Sequence, residues 1–202
     1  MNKGILLVLS GYLMWGCFPL YWALLNHVNP SEVLIHRMLW AVPVLFFLVH
    51  FKSSWKNNFK ASISSKKELV FLFITAILIT INWGGYIYAV NLGRVVEASM
   101  GYFLSPVINM IGGYIFFQER ISKLKQLAVF LATVGALYYV FSGDSFPWLG
   151  FLVGFTFSAY GIARKAMASS AVPGLYIETL ILLPFLLIFS LWFYTNYDIA
   201  FF

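Results

Sequence analysis

His36 and Arg37 stand side by side just inside an apolar run, Val33 to Phe51, that reads V-L-I-H-R-M-L-W-A-V-P-V-L-F-F-L-V-H-F. As a helix rising about 1.5 Å per residue, this run is long enough to cross a bilayer. An ionisable pair at the edge of such a span is costly unless it reaches the interface, lines a wet cavity or meets a partner. Two readings of the pair follow: side chains snorkelling to the membrane surface, or a substrate or gate position. Glu178, just inside another apolar run, poses the same choice between the interface and a proton-coupling or gate position.

A second polar group lies between residues 97 and 120, E-A-S-M-G-Y-F-L-S-P-V-I-N-M-I-G-G-Y-I-F-F-Q-E-R. Glu97, Gly101, Ser105, Asn109 and Gly112 recur every three or four residues, so they share one helical face. In hydrocarbon that face turns inward, because an exposed Asn finds no partner there. Pro106 cannot donate to the carbonyl of Tyr102, which is left open as a ligand. The face is either a helix-packing seam of small and polar residues or a cavity wall that touches solute. Asn82 and Tyr86, one turn apart in the preceding run, pose the same alternative. Glu119 has Arg120 and Lys123 as sequence neighbours for a surface ion pair.

The elements that must carry these residues follow from composition. Of 202 residues, 61% are hydrophobic and 10% charged, and the mean hydropathy is +0.85. A soluble domain has about a quarter of its residues charged, so the chain is read as an all-α integral membrane protein in contact with the lipid bilayer. Seven spans are expected, at 4–25, 33–51, 69–91, 97–117, 126–142, 147–167 and 175–196, with residues 52–68 as a Lys- and Ser-rich loop. The first span is too long for a signal-peptide core and is read as a retained helix. Of the 13 basic residues, all but Arg37 and Arg94 fall on one side of this arrangement. That bias predicts a cytoplasmic N-terminus. The same clustering makes the net charge of +6 a topology signal, and no nucleic-acid partner is expected. Trp22, Trp55, Trp83, Trp148 and Trp192 lie near span ends, as interfacial aromatic belts do.

Several chemistries are not indicated. A single cysteine, Cys17, allows neither an intramolecular disulfide nor a cysteine-cluster metal site. The three histidines are scattered around the first two spans, and no metal or other cofactor is expected. The chain has no Gly-x-x-x-x-Gly-Lys-Ser/Thr phosphate loop and no H-E-x-x-H. Ala128, Ala132 and Ala136, and Gly150, Gly154 and Ser158, form small-residue stripes for close helix approach.

A faint internal repeat joins the two ends. Trp15-Gly16 matches Tyr160-Gly161, Pro43 matches Pro184, and on that register Arg37 falls opposite Glu178. Five spans separate each pair, so the second copy runs the other way through the membrane. Inverted repeats of this kind are typical of secondary transporters, whose solute site lies at the repeat interface. Arg37 and Glu178 are then expected on opposite sides of the midplane, out of contact.

The strings W-G-C-F-P-L-Y-W (15–22), P-S-E-V-L-I-H-R-M-L-W (30–40), N-W-G-G-Y-I-Y-A-V-N (82–91), A-Y-G-I-A-R-K (159–165) and L-Y-I-E-T-L-I-L-L-P (175–184) carry a family resemblance. Together with the 97–109 stretch and Q-E-R (118–120), the chain resembles RarD-type members of the EamA branch of the drug/metabolite transporter superfamily. The resemblance implies a ten-helix inner-membrane permease of two inverted five-helix repeats, a secondary transporter of metabolites or drugs, and no enzyme. The RarD group is associated with chloramphenicol sensitivity. Residues 1–143 then correspond to the first repeat and 144–202 to the start of the second. Because the sequence stops after the seventh span, a truncated or frameshifted gene product, or an incomplete sequence, is expected rather than a functional seven-helix design. Face-sharing and resemblance together nominate His36, Arg37, Trp40, Asn82, Tyr86, Gly101, Tyr102, Ser105 and Asn109 as the lining of a site for a small-molecule solute. Arg37 would attract an anionic group, Trp40 and Tyr102 would stack on an apolar or aromatic part, and Asn109 would hydrogen-bond it. Two other classes stay open, a non-transporting membrane protein and an intramembrane enzyme, and a homo-oligomer is also allowed.

Overall fold

Caps and breakers in the sequence set the helix boundaries. The computed structural model describes residues 3–143 and 145–198. These form eight helices: α1 (Lys3–Ala23), α2 (Pro30–Phe51), α3 (Ser53–Ser64), α4 (Lys66–Asn91), α5 (Val95–Phe117), α6 (Lys123–Ser142), α7 (Trp148–Lys165) and α8 (Ala171–Asn196). No strand occurs among the described residues. Before α2, the Asn29 side chain accepts from the Ser31 amide, with Pro30 opening the helix and Glu32 in its first turn. Ser65 caps α4 by accepting from the Glu68 amide, and Ser122 caps α6 through Lys125. Gly93 (φ 71°) and Gln118 (φ 51°) end α4 and α5 in the left-handed region, where a helix stops readily.

The expected loop at 52–68 is instead largely helix α3. Its Lys- and Ser-rich composition hides a partly buried side made of Trp55, Asn58, Phe59 and Ser62, spaced three or four apart. The count of spans also changes. Six helices are long and apolar enough to cross a membrane: α1, α2, α4, α5, α6 and α8. The expected seventh, α7, is not among them, though its 18 residues reach about 27 Å. Gly150, Gly154, Thr156 and Ser158 lower its hydropathy, and all four are buried against protein. A helix clasped by other helices has no need of an apolar exterior.

Small residues fix the tightest contact. The α5 and α7 helices run parallel, with Leu149 near Glu97 at one end and Lys165 near Glu119 at the other. A Cβ on Gly101 would sit 2.2 Å from the Gly150 carbonyl oxygen, and one on Gly154 would sit 2.4 Å from that of Gly101. Only glycine permits this approach. Where lipid tails are as apolar as the side chains, such backbone proximity is a main source of association. The α4 helix packs antiparallel on a neighbouring face of α7, where buried Asn82 donates to the Val153 carbonyl at 2.8 Å.

The α2 and α8 helices are also antiparallel. Ile35 and Met38 meet Leu186 and Phe193 at one end, and Leu45 and Val49 meet Tyr176 at the other. Arg37 and Glu178 each lie near the start of their own helix, so they occupy opposite ends of the pair. By contrast, α1 has no buried residue in its apolar run and α6 has only Ala136, which makes both peripheral.

Candidate functional site

A stripe on α1 faces the rest of the bundle. Tyr12, Trp15, Gly16, Pro19 and Trp22 recur every three or four residues and form one wall of a cavity of about 480 Å³. The other walls come from Arg37 on α2, Asn82, Trp83 and Tyr86 on α4, Tyr102, Ser105, Pro106 and Asn109 on α5, and Phe157 on α7. Three rings form a cluster: Trp15–Tyr102 at 5.7 Å, Trp15–Phe157 at 5.6 Å and Tyr102–Phe157 at 5.4 Å between centroids. Tyr86 joins it at 5.9 Å from Tyr102.

Arg37 is half-buried and lies between two indoles, 4.0 Å from the Trp83 centroid and 5.5 Å from that of Trp22. Ring faces attract a guanidinium, and a partly desolvated site strengthens that attraction. The planar fork of an arginine also binds carboxylate or phosphate through two parallel hydrogen bonds. The chemistry on offer is therefore one held cation among flat apolar walls.

The structure brings six of the nominated residues to this cavity: Arg37, Asn82, Tyr86, Tyr102, Ser105 and Asn109. Two of the six are committed to packing. Asn82 also reaches Thr156 Oγ1 at 3.3 Å, and Ser105 Oγ donates to the carbonyls of Gly101 and Gly154 at 3.4 and 3.5 Å. Gly101 does not line the cavity, because it is the crossing point of α5 and α7. His36 points toward α8, where its Nε2 lies 3.1 Å from the Tyr194 hydroxyl. Trp40 is 68% exposed and, with His36, borders a neighbouring groove that shares Trp22 and Arg37 with the central cavity.

Sequence reasoning missed the α1 stripe, Trp83 and Phe157. Trp22 and Trp83 had the look of interfacial belt residues, yet they flank Arg37. The available signal was the spacing of Tyr12, Trp15, Pro19 and Trp22, which places four bulky residues on one side of a helix.

Pro106 and Asn109 also border a second cavity, about 460 Å³, between α5, α6 and α7. Its rim carries Glu119, Arg120, Lys125 and Lys165. Glu119 pairs with Lys165, correcting the expectation of Arg120 or Lys123 as its partner. The Lys165 ammonium, by hydrogen bond and charge, holds the Glu119 carboxyl below the ordinary carboxylate value. Near the opposite end of α5, Arg94 pairs with Glu97, whose carboxylate accepts from the Leu149 amide at 2.8 Å.

Glu178 is 1% exposed and does not snorkel. Its carboxylate accepts from Thr75 Oγ1 at 2.7 Å and from the Tyr160 hydroxyl at 3.3 Å, and Arg164 Nη1 lies 3.5 Å away. This four-residue cluster ties α4, α7 and α8 together. The described residues hold no cluster of His, Cys, Asp and Glu suited to a metal ion.

An all-helical membrane bundle with an aromatic, singly cationic cavity is the kind of scaffold on which solute-binding permeases are built. The chain belongs to the EamA-like transporter family, whose sequence pattern matches residues 2–141. It is 35% identical over 185 residues to the uncharacterized transporter YojE of Bacillus subtilis, a match covering 91% of this chain and 62% of that one. It is 37% identical over 183 residues to protein RarD of Escherichia coli K12, covering 91% of this chain and 62% of that one. The "chloramphenicol-sensitive protein RarD" of Pseudomonas aeruginosa is 30% identical over 194 residues, covering 95% and 65%. The chain thus spans about three fifths of the length of these curated relatives. No solved structure matches it.

Proposed function

We propose that this chain works as a secondary permease for small organic solutes in the bacterial inner membrane, and that the central cavity is its solute site. The relatives named as transporters support the class. The solute chemistry rests on one observation: Arg37 held between Trp22 and Trp83 at the edge of an aromatic-walled cavity. A cavity of about 480 Å³ lies in the range that suits a small molecule. The preferred solute is an organic anion with a flat apolar body. Arg37 takes its carboxylate or phosphate, while Trp15, Tyr102 and Phe157 cover its body.

The Lys-rich end of the bundle faces the cytoplasm in this reading, by the positive-inside rule. Residues 1–143 act as one repeat and 144–202 as the beginning of an inverted second. Supporting this are the antiparallel α2 and α8, with Pro43 and Pro184 inside them and Arg37 and Glu178 near their respective starts. Glu178 then serves as a gate or coupling residue at the end remote from Arg37, and alternating access moves solute between the two ends.

The test is flux. The chain reconstituted in vesicles is expected to move a labelled aromatic carboxylate faster than its uncharged carboxamide isostere, and Arg37→Gln to abolish that preference. Flux equal to protein-free vesicles would remove the transport reading. Flux that Arg37→Gln leaves unchanged would remove the anion site.

A further inference from the structure

The segment Lys52 to Lys67 holds five lysines and no acidic residue. Lys52, Lys56 and Lys60 recur every four residues, so they line one side of α3 and its entry, and all three are exposed. The other side of α3 is anchored. Phe59 lies 5.4 Å from Tyr176 and 6.4 Å from His50 between ring centroids, which seats the helix on the ends of α2 and α8. The helix thus sits at the shared end of two apolar spans, with Lys56 and Lys60 exposed and the Lys52 ammonium 4.4 Å from the centroid of the Trp55 ring. Its first turn has neither a side-chain cap nor an acidic residue to offset Lys52.

The anchored side also reaches the α7–α8 connection. Asn58 Oδ1 accepts from the Ser170 amide at 2.9 Å and from its hydroxyl at 3.0 Å, while Nδ2 donates to the Ala168 carbonyl at 3.3 Å. Just after α3, the Glu68 carboxylate accepts from the amides of Ala168 and Ser169 at 3.1 and 3.2 Å. From within, Arg164 donates to the Ser170 carbonyl at 2.9 Å and faces Glu178. The connection is therefore held between α3 on one side and the buried Arg164–Glu178 cluster on the other.

We propose that α3 is a docking element for an anionic phospholipid surface, and that lipid bound to Lys52, Lys56 and Lys60 steadies the α7–α8 connection through Asn58. The occupant is a lipid surface because charge and location agree: a row of lysines beside two spans meets phosphate headgroups without any further movement. Juxtamembrane lysines are attracted to anionic leaflets individually and in an additive way. The proposal does not depend on the solute site or on transport.

The experiment is hydrogen–deuterium exchange on the whole chain in nanodiscs, either of phosphatidylcholine alone or with phosphatidylglycerol added. Anionic lipid is expected to slow exchange in residues 53–64 and 166–170 by about tenfold, and raised salt to reverse it. The triple variant Lys52→Gln, Lys56→Gln, Lys60→Gln, which alters only exposed positions, is expected to lose both protections. Asn58→Ala is expected to keep the protection of α3 and lose that of 166–170. Equal exchange in the two lipid compositions would overturn the proposal. So would full protection by inorganic phosphate in phosphatidylcholine discs, which would mark an anion site rather than a surface. Protection of α3 with none at 166–170 in the unmodified chain would overturn the coupling.

Discussion

Glu178 shows what a single buried charge demands of its neighbours. Its carboxylate is satisfied by Thr75, Tyr160 and Arg164, which come from α4 and α7. Removing one partner of a buried pair leaves the other uncompensated, at a cost of about 3–5 kcal/mol. Glu178→Ala is therefore expected to lower the melting temperature of the purified protein sharply. Glu178→Gln should cost less, because it fills the same space and its amide oxygen can still accept from Thr75, although the amide NH2 then faces the Tyr160 hydroxyl and Arg164 loses its counter-charge as in Glu178→Ala. Equal losses from the two variants would show that the cluster does not hold the helices. Glu119 behaves differently, being exposed at the surface beside Lys165. Its carboxyl is held below the ordinary 4.5, so the fold favours the ionised form. That contribution is complete above the unfolded value and fades as pH falls through the lowered folded one. Melting curves of the unmodified protein and Glu119→Gln should differ slightly near pH 7 and converge as the pH falls through the lowered folded-state value. A difference independent of pH would contradict the pairing.

At the scale of elements, the α5–α7 crossing carries the fold. A methyl group on Gly101 or Gly154 would press on backbone that cannot move aside, whereas one on Gly135 in α6 meets nothing within 4 Å. Gly101→Ala and Gly154→Ala should each destabilise by about 1–3 kcal/mol in denaturant titrations, while Gly135→Ala should be nearly silent. The reverse ranking would mean that the crossing is looser than described. Both stripes of small residues were legible in the sequence, since spacing alone puts Gly101 with Ser105 and Gly150 with Gly154. That they face each other was not legible, because periodicity names a face and never its partner. Helix α3 was hidden for another reason. Lysines and serines dominate its average, and its signals were only Trp55, Phe59 and Ser62 at helical spacing. The next helix starts at the Ser65 cap, whose side chain accepts from the Glu68 amide, rather than at residue 69. Trp22 and Trp83 were ambiguous in principle, since a tryptophan near a span end suits an interface or a cavity equally well. Only the packing of α1 against α4 separates the two roles.

For the whole molecule, helices α2, α4, α5, α7 and α8 form a tight body, and α1 closes one side of it over the central cavity. The proposed orientation places Lys60 in the cytoplasm. With Cys17→Ser as background, Lys60→Cys should react with an impermeant maleimide only after the inner membrane is permeabilised. Labelling in intact spheroplasts would reverse the topology. The central claim is that Arg37 selects an anionic group at an aromatic cavity. Its most direct test is equilibrium binding to the protein in nanodiscs, comparing an aromatic carboxylate with its carboxamide. A hydrogen bond to a charged group contributes about 1.5–3 kcal/mol, so the carboxylate should bind roughly tenfold to a hundredfold more tightly. Arg37→Gln should bring the two affinities together. Equal affinities in the unmodified protein, or a preference that survives Arg37→Gln, would contradict the account.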